Sequence, residues 1–350
     1  MFCPPGSLYD GAKHLCINRH EKVTCGPQPT TQAPITTTDP NAAPPCDPVL
    51  CQLPECFCSN DGTKIPGDLP RAQTPQLVMI TFDGAVNHLN FDTYNTIFLE
   101  NRTSPNGCPI RATFFMTHDY NDYSKVQEMY SQGHEMAVAS VSRRQGLEDE
   151  SAANWTGEMV TMREILKNYA SVNTDEVIGM RAPHLKPGRN AQFEMIYDYN
   201  FVWDSSMVVP PQKIPVWPYT LDYKIPHECK SGTCPTGSFP GIWEIPMNSH
   251  YMDERFEGGY CPYLDQCGLN FFSENDVFEW LKSDFHRHYD KNRAPYMIAV
   301  SVNWFNTPAN HKGLLRFIDY TLSLYMKTCS RCPSSYPWVF DARGIGGTNI

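Results

Sequence analysis

LVMITFDGAVN, residues 77–87, is the stretch from which the rest of the chain is read. The apolar run Leu77–Ile80 reads as a strand, so Asp83 stands where that strand meets a loop. A carboxylate in that place looks catalytic. Its neighbour is Gly84, where a metal site would want a second acid. The question is whether this is an active site or what is left of one.

Downstream of residue 76 the pattern alternates. Strands are expected at 76–83, 110–116, 134–140, 177–182, 201–205, 242–247 and 295–302. Helices are expected at 91–100, 124–132, 154–169, 274–290 and 311–326. Ser273 and Asp276 come close to a capping pattern ahead of 274–290. This rhythm predicts an α/β fold: a mostly parallel sheet with helices outside, either barrel or open. In such folds sites collect at the carboxyl ends of strands.

Upstream, residues 1–26 hold three cysteines, Cys3, Cys16 and Cys25. Residues 27–45 are Pro/Thr-rich, with almost no large apolar residue, and read as an extended linker. Cys46, Cys51, Cys56 and Cys58 then open the main domain, 46–350.

Composition excludes several functions. The net charge is -10, with 28 basic residues among 350, which argues against a nucleic-acid partner. No run of about 18 apolar residues could span a membrane. Fourteen cysteines point to an oxidising, extracellular compartment. Zinc clusters are the competing reading, since Cys56-x-Cys58 and Cys329-x-x-Cys332 are close pairs, but no second pair stands at finger spacing with histidines. Two sequons, at Asn101 and Asn154, agree with secretion. A signal peptide is expected to have been removed, or to lie upstream of Met1.

The strand ends in order give Asp83, then Ala139 and Arg143 in AVASVSRR, Arg181 and His184 in MRAPHLKPG, Asp204 in VWDSS, Trp217 and Tyr219 in WPYTLDY, and Ser301 and Trp304 in MIAVSVNWF. If the segment after Ala139 turns helical, residues 139 and 143 share a face.

Together these motifs resemble the polysaccharide deacetylase (NodB-like) family, and most closely its insect chitin deacetylases. CQLPECFCSNDGTKIPG, SFPGIWEIPMNSHY and RAPYMIAVSVNWF are similar to insect members. The resemblance covers nearly all of the chain from Cys46 and implies a distorted (β/α) barrel. The first 25 residues resemble the last three cysteines of a peritrophin-type chitin-binding module, whose front half is expected to be missing. Helix 311–326 runs almost directly into TCSRCPSSYPW, so the last barrel strand is expected to be missing too. The eleven cysteines from Cys46 onward are an odd number, which fits a lost partner.

The resemblance also makes the departures readable. Active members hold zinc or another divalent metal with one Asp and two His, use a neighbouring Asp as general base, and protonate the leaving amine with a later His. By that resemblance Asp83 is the base, but Gly84 stands at the metal-binding Asp. Ala139 and Arg143 stand at the two His ligands, and Ser301 at the acid. Arg181 keeps the R-x-P motif, with Asp204 expected to orient it. Arg143 is expected to reach Asp83 and replace the metal's charge. An improvised metal site from His184, Asp83 and Asp204 is the weaker option. His118, His134 and His250 have no ligand partner at metal spacing. His286 and His288 are two apart on a helix and face different ways.

The expectation is therefore a secreted homologue in a gut lining or cuticle that binds chitin or chitooligosaccharide without a cofactor. Any hydrolysis of the amide bond would be absent or very weak. Trp217, Tyr219, Trp304 and His184, with Tyr251 beside them, are the expected sugar contacts, the competing reading being that the aromatics are core. Trp243 is expected in the core. The alternatives are a working metal-dependent deacetylase with an atypical site, and a structural matrix protein held by protein contacts.

Overall fold

A computed structural model describes residues 7–10, 15–18, 42–98, 102–104, 107–252, 259–267 and 273–324. The chain divides into two compact units, Met1–Pro40 and Asn41–Ile350. In the first, β1 (Ser7–Asp10) and β2 (Leu15–Asn18) form an antiparallel pair in which Ser7 faces Asn18. The linker up to residue 41 and the cysteine-rich stretch at 328–338 lie outside the described residues.

The second unit contains β3 (Val78–Gly84), α1 (Phe91–Ile97), β4 (Thr113–Met116), α2 (Tyr123–Ser131), β5 (Glu135–Val138), α3 (Ala152–Ala170), β6 (Gly179–Met180), α4 (Arg189–Asp198) and β7 (Trp203–Asp204). It continues with β8 (Val208–Val209), β9 (Tyr219–Leu221), β10 (Phe239–Glu244), β11 (Met247–Asn248), β12 (His250–Tyr251) and β13 (Tyr260–Cys261). α5 (Glu274–Tyr289), β14 (Tyr296–Val300) and α6 (Pro308–Ser323) follow. Eight strands form one sheet in the order β14-β3-β4-β5-β6-β7-β10-β9. Every pairing is parallel except the last, β10 with β9.

The sheet curls. Arg181, just after β6, has its guanidinium within 3.3 Å of Met297 Sδ on β14 and 3.2 Å of Ser205 Oγ just after β7. In a flat sheet β14 and β7 would lie five spacings, roughly 24 Å, apart. Only a sheet rolled about Arg181 brings both to one side chain. This is the expected α/β architecture, a distorted barrel with its interior filled by side chains. Among the described residues no pairing joins edge strands β14 and β9.

Alternation sorts each strand. On β3, Thr81 and Asp83 face Arg181 inside, while Phe82 packs outward on Tyr94 of α1 at 4.5 Å and on Phe98 at 6.3 Å. On β4, Phe115 faces in against Arg181 and Phe114 faces out against Tyr94. Both faces are therefore covered, which is why these strands read as continuous apolar runs. α5 is opened by a capping box: Ser273 Oγ accepts from Asp276 N–H and Asp276 Oδ2 accepts from Ser273 N–H. Cys46–Cys58 and Cys51–Cys56 form a nested pair of disulfides, and the intervening Phe57 docks on Thr220 of β9.

α4 was not expected. Gly188 precedes it without a capping side chain, and its buried face, Gln192, Phe193, Met195 and Ile196, is interrupted by a polar residue. Gln192 is buried for a polar reason: it accepts from Gly188 N–H and donates to Asp204.

Candidate functional site

The carboxyl ends of β3, β4, β6 and β7, with β14 beside them, meet around Asp83 and Arg181, and chemistry explains why each neighbour is there. Arg181 has no exposed side-chain surface and Asp83 only 6%. A buried guanidinium needs a countercharge and acceptors for its other protons. Asp83 Oδ1 supplies the charge at 2.6 Å from Nη1. Ser205 O accepts from Nε at 3.0 Å, Ser205 Oγ from Nη2 at 3.2 Å and Thr81 Oγ1 from Nη1 at 3.2 Å. The plane stacks on the Phe115 ring at 3.8 Å.

The second oxygen of Asp83 is also taken. Tyr263 Oη donates to Asp83 Oδ2 at 2.6 Å. Tyr263 is buried, and burial, followed by the charge of Asp83, pushes its phenol well above the usual range, so it stays a donor. It sits in a seven-residue loop closed by the Cys261–Cys267 disulfide. From the same loop, Asp265 accepts from Ser301 N–H at 3.1 Å and from Ser301 Oγ at 3.2 Å. The loop CPYLDQC thus bonds both Asp83 and Ser301. No expectation from sequence included it, although an aromatic and an acid bracketed by close cysteines was the available signal.

The three positions matched to metal ligands offer no donor side chain. Gly84 adopts φ 118°, and a Cβ there would meet nothing within 4 Å. Ala139 is buried. Arg143 is exposed and makes no ion pair among the described residues, so the expected Arg143–Asp83 pair is replaced by Arg181–Asp83. The segment after Ala139 is not helical: Ser140 has φ 94° and Arg143 φ 50°, and Ser140 Oγ accepts from Arg143 N–H at 2.8 Å. His184 is exposed, and its Nε2–H donates to the Arg143 carbonyl at 3.1 Å. Among the described residues no three His, Cys, Asp or Glu side chains are grouped to hold a metal ion, so His184, Asp83 and Asp204 are not a ligand set. The residues present do not fit the zinc that the resemblance implies.

Asp204 does not hydrogen-bond Arg181; Ser205 does that work. Asp204 instead accepts from Gln192 at 2.9 Å, from Ser206 N–H at 3.0 Å and from Ser206 Oγ at 2.6 Å. Opposite it on β10 stands Glu244, its register partner. Glu244 Oε1 accepts from Met207 N–H at 3.0 Å. Burial raises both above the ordinary carboxylate range, and for Glu244 the charge of Asp204 adds to it.

The expected sugar contacts fall elsewhere. Trp217 is buried, donates its indole N–H to Asn292 O at 3.1 Å, and lines a small apolar recess with Leu77 and Pro75. That recess is at the amino end of β3, roughly 20 Å along the strand from Asp83. Tyr219 is buried on β9 with its hydroxyl 2.8 Å from His227 Nε2. Trp304 is buried under the rim, edge-on to Phe305. None of the three offers a face to a sugar. Tyr251 remains 49% exposed. Trp243 is buried, as core. Asn154 is exposed in the first turn of α3, with its amide donating to Glu150; Asn101 lies outside the described residues.

No family model matches the chain. Chitin deacetylase 1 of Bombyx mori is 38% identical over 420 residues, covering 98% of this chain and 77% of that protein. Chitin deacetylase 8 of Bombyx mori is 30% identical over 379 residues, covering 90% and 95%. Among solved structures, a putative polysaccharide deacetylase from Mycobacterium smegmatis superposes with a TM-score of 0.46 at 14% identity, over 81% of this chain and 89% of that one. A family 4 carbohydrate esterase from Streptomyces lividans, in complex with acetate, gives 0.37 at 14% identity, over 71% and 88%. On the near-complete match to the first of these relatives, this chain belongs to the chitin deacetylase family.

Proposed function

We propose that this protein is an extracellular, catalytically silent member of its family that binds chitin or a related N-acetylglucosamine polymer. The observation that carries the silent reading is the double engagement of Asp83. A general base needs a free lone pair facing an activated water. Here one oxygen is held by Arg181 and the other by Tyr263, each at 2.6 Å. The positions at which a metal would polarise the acetamide carry Gly84, Ala139 and Arg143. Losing that polarisation removes several kcal/mol of transition-state stabilisation, and each factor of ten in rate is about 1.4 kcal/mol. The Ser301 hydroxyl already donates to Asp265 and is too weak an acid to take the place of an imidazolium.

Chitin as the ligand is supported by the relatives, named chitin deacetylases, and by the strongly acidic chain, which favours a neutral polymer over an anionic one. An oxidising location is supported by disulfides of the main unit, which among the described residues include Cys46–Cys58, Cys51–Cys56, Cys229–Cys234 and Cys261–Cys267. A gut lining or cuticle matrix, with matrix proteins as neighbours, is the setting this implies.

The test is to load the purified protein with zinc, remove the excess, count zinc per chain by mass spectrometry, assay acetate release from chitohexaose, and sediment the protein with chitin beads. The reading expects no zinc, no acetate and co-sedimentation. One zinc per chain with acetate release would establish a working deacetylase instead. No zinc and no sedimentation would leave a structural matrix protein.

A further inference from the structure

The loops after β3 and β4 are laced together three residues beyond Asp83. Val86 N–H donates to Asn121 Oδ1 at 2.8 Å, Asp122 N–H to Val86 O at 2.9 Å, and Asn87 Nδ2 to Tyr120 O at 3.0 Å. Asn121 Nδ2 donates back to Thr117 O. On the far side His118 N–H donates to Val141 O at 3.1 Å, tying the loop to the end of β5. This lacing holds Tyr120 at φ 66°, in the left-handed region that a tyrosine rarely adopts.

The strain is not repaid by burial. Tyr120 is 88% exposed, its hydroxyl has no hydrogen bond among the described residues, and its ring meets no other ring there. Leu89, whose N–H is fixed by Asn87 Oδ1 at 2.9 Å, is 80% exposed on the partner loop. Asp119, next to Tyr120, is exposed and makes no hydrogen bond or ion pair among the described residues. An aromatic side chain carried out into water by a fixed backbone, next in sequence to an exposed carboxylate, is suited to a pyranose ring. The apolar C–H face of the sugar stacks on the ring, and the carboxylate accepts from hydroxyl or amide N–H groups. The same carboxylate repels anionic glycans. Backbone strain held in place by surrounding bonds is a mark of a functional position.

We infer that Tyr120, with Asp119 and Leu89, is the stacking platform for one N-acetylated sugar ring, at the rim where β3 and β4 end. It takes the role that the buried Trp217, Tyr219 and Trp304 cannot fill. The inference rests on the reading of the protein as a chitin binder, and the experiment separates the two.

Wild-type protein and the variants Tyr120→Ala, Tyr120→Phe and Tyr120→Gly are titrated with chitohexaose and sedimented with chitin beads, and each is melted. Wild type is expected to bind, Tyr120→Phe to stay within about twofold, and Tyr120→Ala to weaken about tenfold. Tyr120→Gly is expected to lose binding like Tyr120→Ala while melting higher than wild type, because glycine adopts φ 66° freely. A stability gain with a binding loss is an outcome that a merely structural role for the ring would not give. If wild type binds and Tyr120→Ala binds equally, the platform is wrong and the chitin-binding reading stands. If wild type fails to bind, the functional reading falls and takes the platform with it. A Tyr120→Gly protein that melts lower makes the ring structural and overturns the inference.

Discussion

Replacing Asp83 by Ala should unfold this protein more readily, which the loss of a carboxylate held ready only for catalysis would not do. The substitution leaves Arg181 charged in a place with no exposed side-chain surface. Removing one partner of a buried pair costs about 3–5 kcal/mol. The structure places the cost near the lower end. Arg181 keeps Ser205 O, Ser205 Oγ, Thr81 Oγ1 and the face of Phe115, so the countercharge is lost while most acceptors remain. Tyr263 Oη is left without its acceptor, a further penalty of about 1–3 kcal/mol for a buried donor. A total of about 4–6 kcal/mol corresponds to a fall in melting temperature of roughly 8–24 °C for a domain of this size. The assay is urea unfolding followed by tryptophan fluorescence with the disulfides intact, and Tyr263→Phe is the second arm, expected to cost about 1–2 kcal/mol. The double variant should lose less than the sum, because both single changes break the same hydrogen bond. In a working enzyme the base is held ready for substrate, and removing it leaves stability unchanged or improved. An Asp83→Ala protein within about 0.5 kcal/mol of wild type would refute the argument that Asp83 is a structural countercharge.

Three further outcomes are expected. The variant Gly84→Asp/Ala139→His/Arg143→His should bind about one zinc per chain by mass spectrometry and still release no acetate, because Ser301 remains held by Asp265; it should also melt lower, since Asp at φ 118° is strained. No zinc in that variant would count against the assignment of the three positions. Glu244→Gln should stabilise the protein at pH 8 and change it little at pH 4, as read from melting curves. Burial raises the folded Glu244 carboxyl, so the fold holds a proton that the unfolded chain gives up above the ordinary carboxylate range. Stability is then lost as pH rises, by about 1.4 kcal/mol per pH unit for that proton, and glutamine removes the loss. His134 should produce the opposite slope. Burial, and then Arg111, push it down to about 4, so it folds neutral while the unfolded chain protonates below about 6.5. Stability is complete above that pH and falls between about 6.5 and 4; His134→Gln should flatten this window in acid melts, and an unchanged slope would remove His134 as its source.

The sheet was legible from sequence because β3, β4, β5 and β14 are covered on both faces, which writes them as apolar runs. The helices over 91–100, 124–132, 154–169, 274–290 and 311–326 were legible from periodicity and, for α5, from Ser273 and Asp276. α4 escaped because its buried glutamine serves Asp204 rather than a hydrophobic stripe. At the site, Asp83 and Arg181 were legible as motif residues, but their relation was not. Arg143 and Arg181 both lie at strand ends, and sequence order does not say which of two guanidiniums turns inward. Burial decides it: β6 is only two residues long, so Arg181 enters the barrel immediately after Met180. Arg143 follows a turn of positive-φ residues and stays in water. Trp217 was misplaced for a related reason. It lies in the connection between β8 and β9, and that chain runs to the amino end of the barrel, where Asn292 and Leu77 hold the indole.

The residues that close the site share one cause. Asp83 carries a charge in a nearly dry place, and that charge must be met. Arg181 meets it from below and Tyr263 from the disulfide-closed loop above, while Asp265 of that loop holds Ser301. On the proposed function, Gly84, Ala139, Arg143 and Ser301 are therefore not four separate losses beside an idle carboxylate. They accompany a rebuilt polar core, in which Asp83 serves as the acceptor that lets a buried arginine fasten β3, β4, β6, β7 and β14 around one point. Catalysis through Asp83 would have to undo that fastening, and so the same carboxylate cannot serve both ends at once.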